Sequence, residues 1–374
     1  MINNLIYFDN NATTKVDKEV IETMLPFFDQ NYGNAASKLH AHGWVAQAAV
    51  EKATEQIARL INCEPSEIIF TSGATESVNL ALKGIYEAYA TKGNHIITSK
   101  TEHKAVLDTC LYLETKGANI TYLNVDKEGL IDLDDLKASI QPSTILVSIM
   151  AANNETGVIQ PLEKIAEICV EKNILFFSDA TQFVGKERCD VIELGVHCIA
   201  FSAHKMYGPK GIGALYVRRK DPRVNLIEQI NGGGHQNAKR SGTLNVPLIA
   251  GFGKAAEIFS NDFWEMGTHV SKLKNYFEHQ LLDIDGLRIN GSTRHRVYNT
   301  SNLTFPKDKQ VTSLLNRFAF SSGSACASAN PEPSHVLKAM GLNDDEVKNS
   351  FRFSFGKNNT LEEVKLIVEE IMKL

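Results

Sequence analysis

Three consecutive stretches decide the fold: Thr144-Ile145-Leu146-Val147-Ser148-Ile149-Met150, then Leu162–Lys172, then Ile174-Leu175-Phe176-Phe177-Ser178. The outer two are short, rich in β-branched and aromatic residues, and apolar almost throughout. That is the pattern of strands buried on both faces. The stretch between them has the apolar spacing of a helix. Strand, helix, strand at this rhythm is a right-handed crossover in a parallel sheet. The same unit repeats on either side. Further strands are predicted at Glu67–Thr71, His95–Ser99, Ile120–Val125, His197–Ser202 and Ile212–Arg218, and further helices at Thr75–Tyr89 and Ala105–Thr115. The expected fold class is α/β: a large domain with a mostly parallel seven-stranded sheet covered by helices, plus a smaller α+β domain.

The rhythm changes after about residue 256. A long helical stretch, Ala255–Leu282, leads to strand-like pieces at Thr300–Phe305 and Phe351–Phe355 and a final helix at Thr360–Met372. The expected division is therefore a large domain over 16–256 and a small one over 257–374, with residues 1–15 as a segment packing on the small domain.

Composition narrows the class. The 374 residues are 43% hydrophobic and 22% charged, with a net charge of −5, which is globular and not disordered or fibrous. A pI near 6.1 gives no bulk-charge argument for nucleic-acid binding. No apolar run is long enough to span a bilayer, and the start Met1-Ile2-Asn3-Asn4-Leu5 lacks the features of a signal peptide. The six cysteines, Cys63, Cys110, Cys169, Cys189, Cys198 and Cys326, form no Cys-x-x-Cys pair. They read as free thiols in a reducing cytoplasm, and no resident metal site is expected.

Ligands of open α/β sheets bind beyond the carboxyl ends of the strands. After the strand at 67–71 come Thr71-Ser72-Gly73-Ala74-Thr75-Glu76, either an ordinary helix cap or an anion site at a helix N-terminus. After 95–99 comes Glu102-His103; after 144–150, Asn153-Asn154-Glu155-Thr156-Gly157; after 174–178, Asp179-Ala180-Thr181-Gln182; after 197–202, Ala203-His204-Lys205-Met206-Tyr207. Each alone has a purely structural reading as a cap, turn or surface residue. Together at one sheet edge they offer an anion cradle, an aromatic ring, a carboxylate and a primary amine. That set suits pyridoxal 5'-phosphate: phosphate at the helix N-terminus, imidazole over the ring, aspartate on the ring nitrogen, lysine as covalent partner.

With these stretches in view, the chain resembles the NifS/IscS-like cysteine desulfurases, within the aspartate-aminotransferase fold type of pyridoxal-phosphate enzymes. The resemblance runs through Tyr7-Phe8-Asp9-Asn10-Asn11-Ala12-Thr13-Thr14, residues 70–77, 101–108, 153–157, 179–185, 202–211, 232–235, 240–243 and 321–327. It implies that Lys205 binds the cofactor and that Ala74, Thr75, Ser202 and His204 contact its phosphate. It also implies that His103 stacks on the ring and moves protons, and that Asp179 and Gln182 contact the ring nitrogen and ring hydroxyl. Asn154 is expected near cofactor and substrate. Arg352 is expected to clamp the carboxylate of L-cysteine. Alternation along the strand agrees, because Phe351, Phe353 and Phe355 share one face and leave Arg352 on the other. Thr243 is implied to reach the cofactor of a neighbouring subunit, hence a homodimer.

Cys326 lies in Ser321-Ser322-Gly323-Ser324-Ala325-Cys326-Ala327-Ser328-Ala329, a small, polar stretch with little to pack. The resemblance makes it the nucleophile that takes sulfur from L-cysteine, leaving L-alanine and a persulfide for an iron–sulfur scaffold or another acceptor. Cys326 could also ligate a cluster transiently during transfer. Two departures stand out. Ala35 replaces the proline common in the early loop, removing a φ restraint. The chain stops at Leu374 without the extension that helps longer relatives dock a scaffold, so that docking mode is not expected. An aminotransferase or selenocysteine lyase, an inactive regulatory partner and a metal scaffold are the alternatives. A transaminase has no need for Cys326, and intact Lys205, Asp179, His103, Arg352 and Cys326 argue against an inactive partner.

Overall fold

The computed structural model describes residues 5–322 and 333–374. Its centre is a seven-stranded sheet of β1 (Ile68–Thr71), β2 (His95–Ser99), β3 (Asn119–Leu123), β4 (Thr144–Ser148), β5 (Leu175–Asp179), β6 (Cys198–Ser202) and β7 (Gly213–Val217). The spatial order is β1-β7-β6-β5-β4-β2-β3, and only β7 runs antiparallel to its neighbours. The expected mostly parallel sheet is therefore present, with strand ends shifted by a residue or two.

Side-chain alternation assembles two cores from one sheet. Leu146, Leu175, Phe177 and Ala200 face one side, where helices α2 (Ala74–Ala88) and α3 (Lys104–Glu114) supply Val78, Leu82, Val106 and Cys110. Val147, Phe176, Ile199 and Phe201 face the other, toward α1 (Ala41–Ile61), α4 (Leu162–Glu171) and α5 (Val246–Leu281). With both faces covered, the central strands need no polar face, which is why they read as apolar runs.

Helix α5 begins nine residues before the expected start at Ala255. Pro247, Gly251 and Gly253 resemble helix breakers in the sequence. Proline is tolerated in the first turn, where no intrahelical N–H bond is lost, and Asn245 caps the end by accepting from Leu248 N at 3.3 Å. Gly253 is needed for contact, since a Cβ there would lie 2.5 Å from Ala53 Cα of α1. The helix then runs unbroken across residue 256.

A second sheet joins β8 (Arg288–Ile289), β9 (Thr300–Thr304) and β10 (Ser350–Ser354), all antiparallel, in the order β10-β9-β8. Phe351, Phe353 and Phe355 pack into an aromatic cluster with Phe277, Phe305 and Phe320, and two of its ring pairs have centroids 4.8 Å apart. Helix α6 (Leu361–Lys373) closes this unit. Near the N-terminus, Ile6–Tyr7 pairs in parallel with Phe318–Ala319, and Asp9 bridges to Ser354. This short ladder carries Asp9 and Asn11 to the junction of the two sheets. Cys110, Cys169, Cys189 and Cys198 are buried and Cys63 is half-buried. Cys326 lies outside the described residues.

Candidate active site

The carboxyl ends of β1, β2, β4, β5 and β6 open into a cavity of about 480 Å³. Ala74, Thr75, His103, Asn154, Asp179, Gln182, Ser202, His204, Lys205 and Arg352 all line it. Two sequence-expected residues are not in that wall. Thr243 is exposed at the surface, and Cys326 falls outside the described residues.

The first wall is the turn from β1 into α2. No side chain caps this helix at its N-cap, Gly73. Its leading N–H groups and the positive end of its dipole are thus left for an anion. Gly213 of β7 lets the turn lie flat on the sheet, because a Cβ there would be 2.7 Å from Gly73 Cα. Glu76 secures the turn by accepting from Ser72 N at 2.7 Å and from Arg240 Nε at 2.8 Å. Burial opposes its ionisation, but these hydrogen bonds prevail and hold its carboxyl below the usual range. Ser202 and His204 complete this side. His204 is pushed down to about 4, by burial first and then by Lys205 and Lys210. It is a neutral donor or acceptor near pH 7, with Nδ1 at 3.1 Å from Thr13 Oγ1.

The opposite wall carries His103, whose Nδ1 accepts the N–H of Ala105 at 3.1 Å and caps α3. With Nδ1 an acceptor, the proton of the neutral ring sits on Nε2. Glu102 beside it is fully buried and accepts from Met150 N at 2.7 Å and Ser99 Oγ at 3.2 Å. Burial, with help from the negative charge of Asp179, pushes its carboxyl up to about 8. At the end of β5, Asp179 accepts from Thr181 N at 3.0 Å. The Thr181 Oγ1 beside it is buried with no partner among the described residues.

Lys205 lies in the turn after β6, followed by Tyr207 at φ 62°. A tyrosine in the left-handed region is strained. Thr14 offsets this by accepting from Tyr207 N at 2.8 Å. Lys205 Nζ donates to the carbonyls of Asn11 and Ala12, at 2.6 and 2.8 Å. Asn11 is therefore a functional residue that sequence reasoning left without a role. The carbonyl that holds Lys205 also accepts from Gln182 Nε2 at 3.0 Å, and its side chain donates to Thr300 Oγ1 at 2.8 Å.

Arg352 enters from the small sheet, on the face of β10 opposite the phenylalanines. Its side chain is 1% exposed. Nη2 pairs with Asp9 Oδ1 at 2.6 Å and Nη1 donates to the Asn154 carbonyl at 2.9 Å. Its buried Nε has no partner among the described residues. Asp9, like Asn11, belongs to a quoted motif, yet nothing in its spacing signals the pairing. Asn154 is held by a turn in which Asn153 Oδ1 accepts from Glu155 N and Thr156 N at 2.9 and 3.0 Å. Gly157 closes that turn at φ 78°.

The donor set suits pyridoxal phosphate on the structure's own terms. An uncapped helix end would receive a phosphate, a carboxylate would suit a cationic ring nitrogen, an amine can form the covalent link, and buried polar atoms remain unpaired among the described residues. The family model for class-V aminotransferases matches residues 6–367. The chain belongs to that family. Within it, this protein falls among the NifS/IscS-like cysteine desulfurases. It is 50% identical to a cysteine desulfurase IscS of an Anaeromyxobacter species, over 99% of this chain and 93% of that one. It is also 50% identical to a cysteine desulfurase IscS of Neisseria meningitidis, over 98% and 91% of the two chains. Among solved structures, a NifS-like protein aligns with a TM-score of 0.91 at 39% identity, covering 99% of this chain and 98% of that one. SspA in complex with cysteine aligns with a TM-score of 0.86 at 37% identity, covering 95% and 100%. Members of this group are pyridoxal-phosphate enzymes, consistent with the donor set.

Proposed function

We propose that this chain is a cysteine desulfurase that removes sulfur from L-cysteine, giving L-alanine and a persulfide on Cys326. One observation carries the reading: a single cavity joins an uncapped helix end, Asp179 and Lys205 to a buried guanidinium whose Nε is unpaired among the described residues. The first group of features suits pyridoxal phosphate. The guanidinium suits the carboxylate of an amino acid.

Bound pyridoxal phosphate supplies an electron sink for carbanion chemistry at the substrate Cα. Ala74, Thr75, Ser202 and His204 would hold its phosphate. Asp179 would keep its ring nitrogen protonated, and Gln182 would meet its ring hydroxyl. Arg352 binds and orients the substrate carboxylate, with Asn154 beside it. Lys205 Nζ, released from its covalent role, removes the Cα proton and returns one to Cα as the carbon fragment becomes L-alanine. His103 carries a proton at Nε2, the nitrogen not used in capping α3, and delivers it to the departing fragment. Cys326 thiolate attacks the substrate sulfur; the S–C bond breaks, its electrons stay with the carbon fragment, and the new S–S bond remains on the enzyme.

We further propose a homodimer in which Thr243 completes the phosphate site of the neighbouring subunit. Exposed Leu25, Phe28, Tyr32, Leu39 and Trp44 and the exposed Thr243 support pairing. Residues 16–256 are proposed as the cofactor-bearing unit, and 257–374, with segment 1–15 packed on it, as the unit bearing Arg352 and Cys326. An iron–sulfur scaffold or another thiol acceptor in the cytoplasm would receive the sulfur. No helix among the described residues is long and apolar enough to cross a membrane.

A single turnover of the cofactor-loaded enzyme with L-cysteine, without reductant, tests the reading. One alanine per active site is expected from the native chain, and none above background from Cys326→Ala. Amino transfer to an oxoacid, with no alanine-linked sulfur, would contradict it.

A further inference from the structure

Lys186 is a buried lysine that the proposed chemistry does not use. It is 4% exposed. Its Nζ donates to Asn11 Oδ1 at 2.7 Å and to Gln182 Oε1. Both acceptors are neutral amides. The charged groups acting on it are Lys205 and Arg352, which disfavour its ammonium form, and Glu187, which favours it. Burial is the largest influence, and Lys186 is held well below the ordinary lysine range. Either charge state still donates hydrogen bonds.

The Gln182 amide has two possible orientations. In the one observed, Oε1 meets the Lys186 donor and Nε2 meets the Asn11 carbonyl at 3.0 Å. Reversing it would set donor against donor and acceptor against acceptor. Nε2 has a second N–H, and Gln182 lines the cavity. Asn11 is fixed from the same point. Lys186 and Asn299 Nδ2, the latter at 3.1 Å, both donate to its side-chain oxygen, while its backbone carbonyl receives Lys205.

We propose that Lys186 is a positioning residue, which orients Gln182 so that an N–H faces the cofactor's ring hydroxyl and steadies the Asn11 carbonyl that holds Lys205. The proposal rests on the pyridoxal-phosphate reading above.

The test is a double-mutant cycle of Lys186→Met and Gln182→Ala on the full chain, reading pyridoxal-phosphate affinity and the pH midpoint of the bound cofactor's visible absorption. Each single variant is expected to weaken cofactor affinity by about tenfold, the scale of one hydrogen bond to an ionised group. Each should move the pH midpoint in the same direction, and the double variant should lose clearly less than the sum of the two single losses. Lys186→Gln keeps an N–H donor at this position. It should recover part of the affinity, and it replaces Lys186→Met in the cycle if that variant does not fold. Additive effects, or a loss of thermal stability with an unmoved midpoint, would overturn the positioning role. Failure of the native chain to bind pyridoxal phosphate would overturn the site reading as well, so the two failures are distinguishable.

Discussion

The two sheets contribute to the cavity in opposite ways. The seven-stranded sheet supplies groups from beyond its strand ends: Ala74 at a helix N-terminus, His103 in a cap, Lys205 in a turn. The three-stranded sheet supplies Arg352 from the middle of a strand. Its backbone is paired with Asn302 on one side, and exchanges hydrogen bonds of 2.7 and 3.1 Å with Ser321 on the other. Groups beyond strand ends can be changed with little cost to the ladder. A group built into a strand and buried against an ion partner serves binding and folding together.

That contrast can be broken most sharply by comparing Lys205→Ala with Arg352→Ala. Lys205→Ala is expected to lower kcat by about 10³-fold or more, from loss of a positioned acid–base group. Its melting temperature without cofactor should stay near that of the native chain. Arg352→Ala is expected to lower kcat/KM by about 100-fold and also to destabilise the fold by about 3 kcal/mol, because Asp9 loses its partner. Thermal unfolding of the cofactor-free chains alongside steady-state kinetics checks both. Equal stability losses would erase the distinction.

Arg296 sharpens the comparison by separating burial from chemistry. It forms a parallel fork with Glu278 at 2.7 and 2.6 Å, and both side chains are under 10% exposed. Neither residue lines the cavity. Arg296→Ala should destabilise by about 3 kcal/mol, with activity per folded, loaded enzyme unchanged. Urea titration and active-site counting read the two effects.

An effect that depends on pH is expected from Glu102. Its carboxyl sits near 8 in the folded chain, against about 4.5 when unfolded. Between these values the folded state holds a proton that the unfolded state has lost. Its contribution is therefore complete below the unfolded value and is lost as pH rises toward 8, by at most about 1.4 kcal/mol per pH unit. Glu102→Gln stays neutral at all pH and should flatten that loss in a stability profile measured from pH 5 to 9. An unchanged slope would mean that Glu102 is ionised in the fold.

The large sheet was legible because both faces are buried, so its strands stand out as apolar runs and its functional residues fall just after them. The same rule led to Asp179, His103 and Lys205. Arg352 came from the family resemblance, and its alternation with three phenylalanines agreed with that reading. Asp9 and Asn11 were not legible, because the pairing of Ile6–Tyr7 with Phe318–Ala319 and the contacts with Ser354 that bring Asp9 to Arg352 and Asn11 to the cavity join distant parts of the chain. Lys186 follows a glycine and precedes Glu187 and Arg188, and reads locally as a surface turn. The start of α5 was hidden by residues that act as breakers only where no close packing requires them.

The cysteines allow the most direct test of the proposed desulfurase chemistry. Burial pushes the thiols of Cys110, Cys169 and Cys189 up to about 12, and those of Cys63 and Cys198 higher still, so none is a ready thiolate near neutral pH. Peptide mass mapping of the cofactor-loaded chain after L-cysteine, without reductant, covers all six positions at once. The account predicts one extra sulfur on the Cys326 peptide alone, removable by dithiothreitol and absent in Lys205→Ala. Sulfur on any of the other five cysteines with Cys326 unmodified would contradict it.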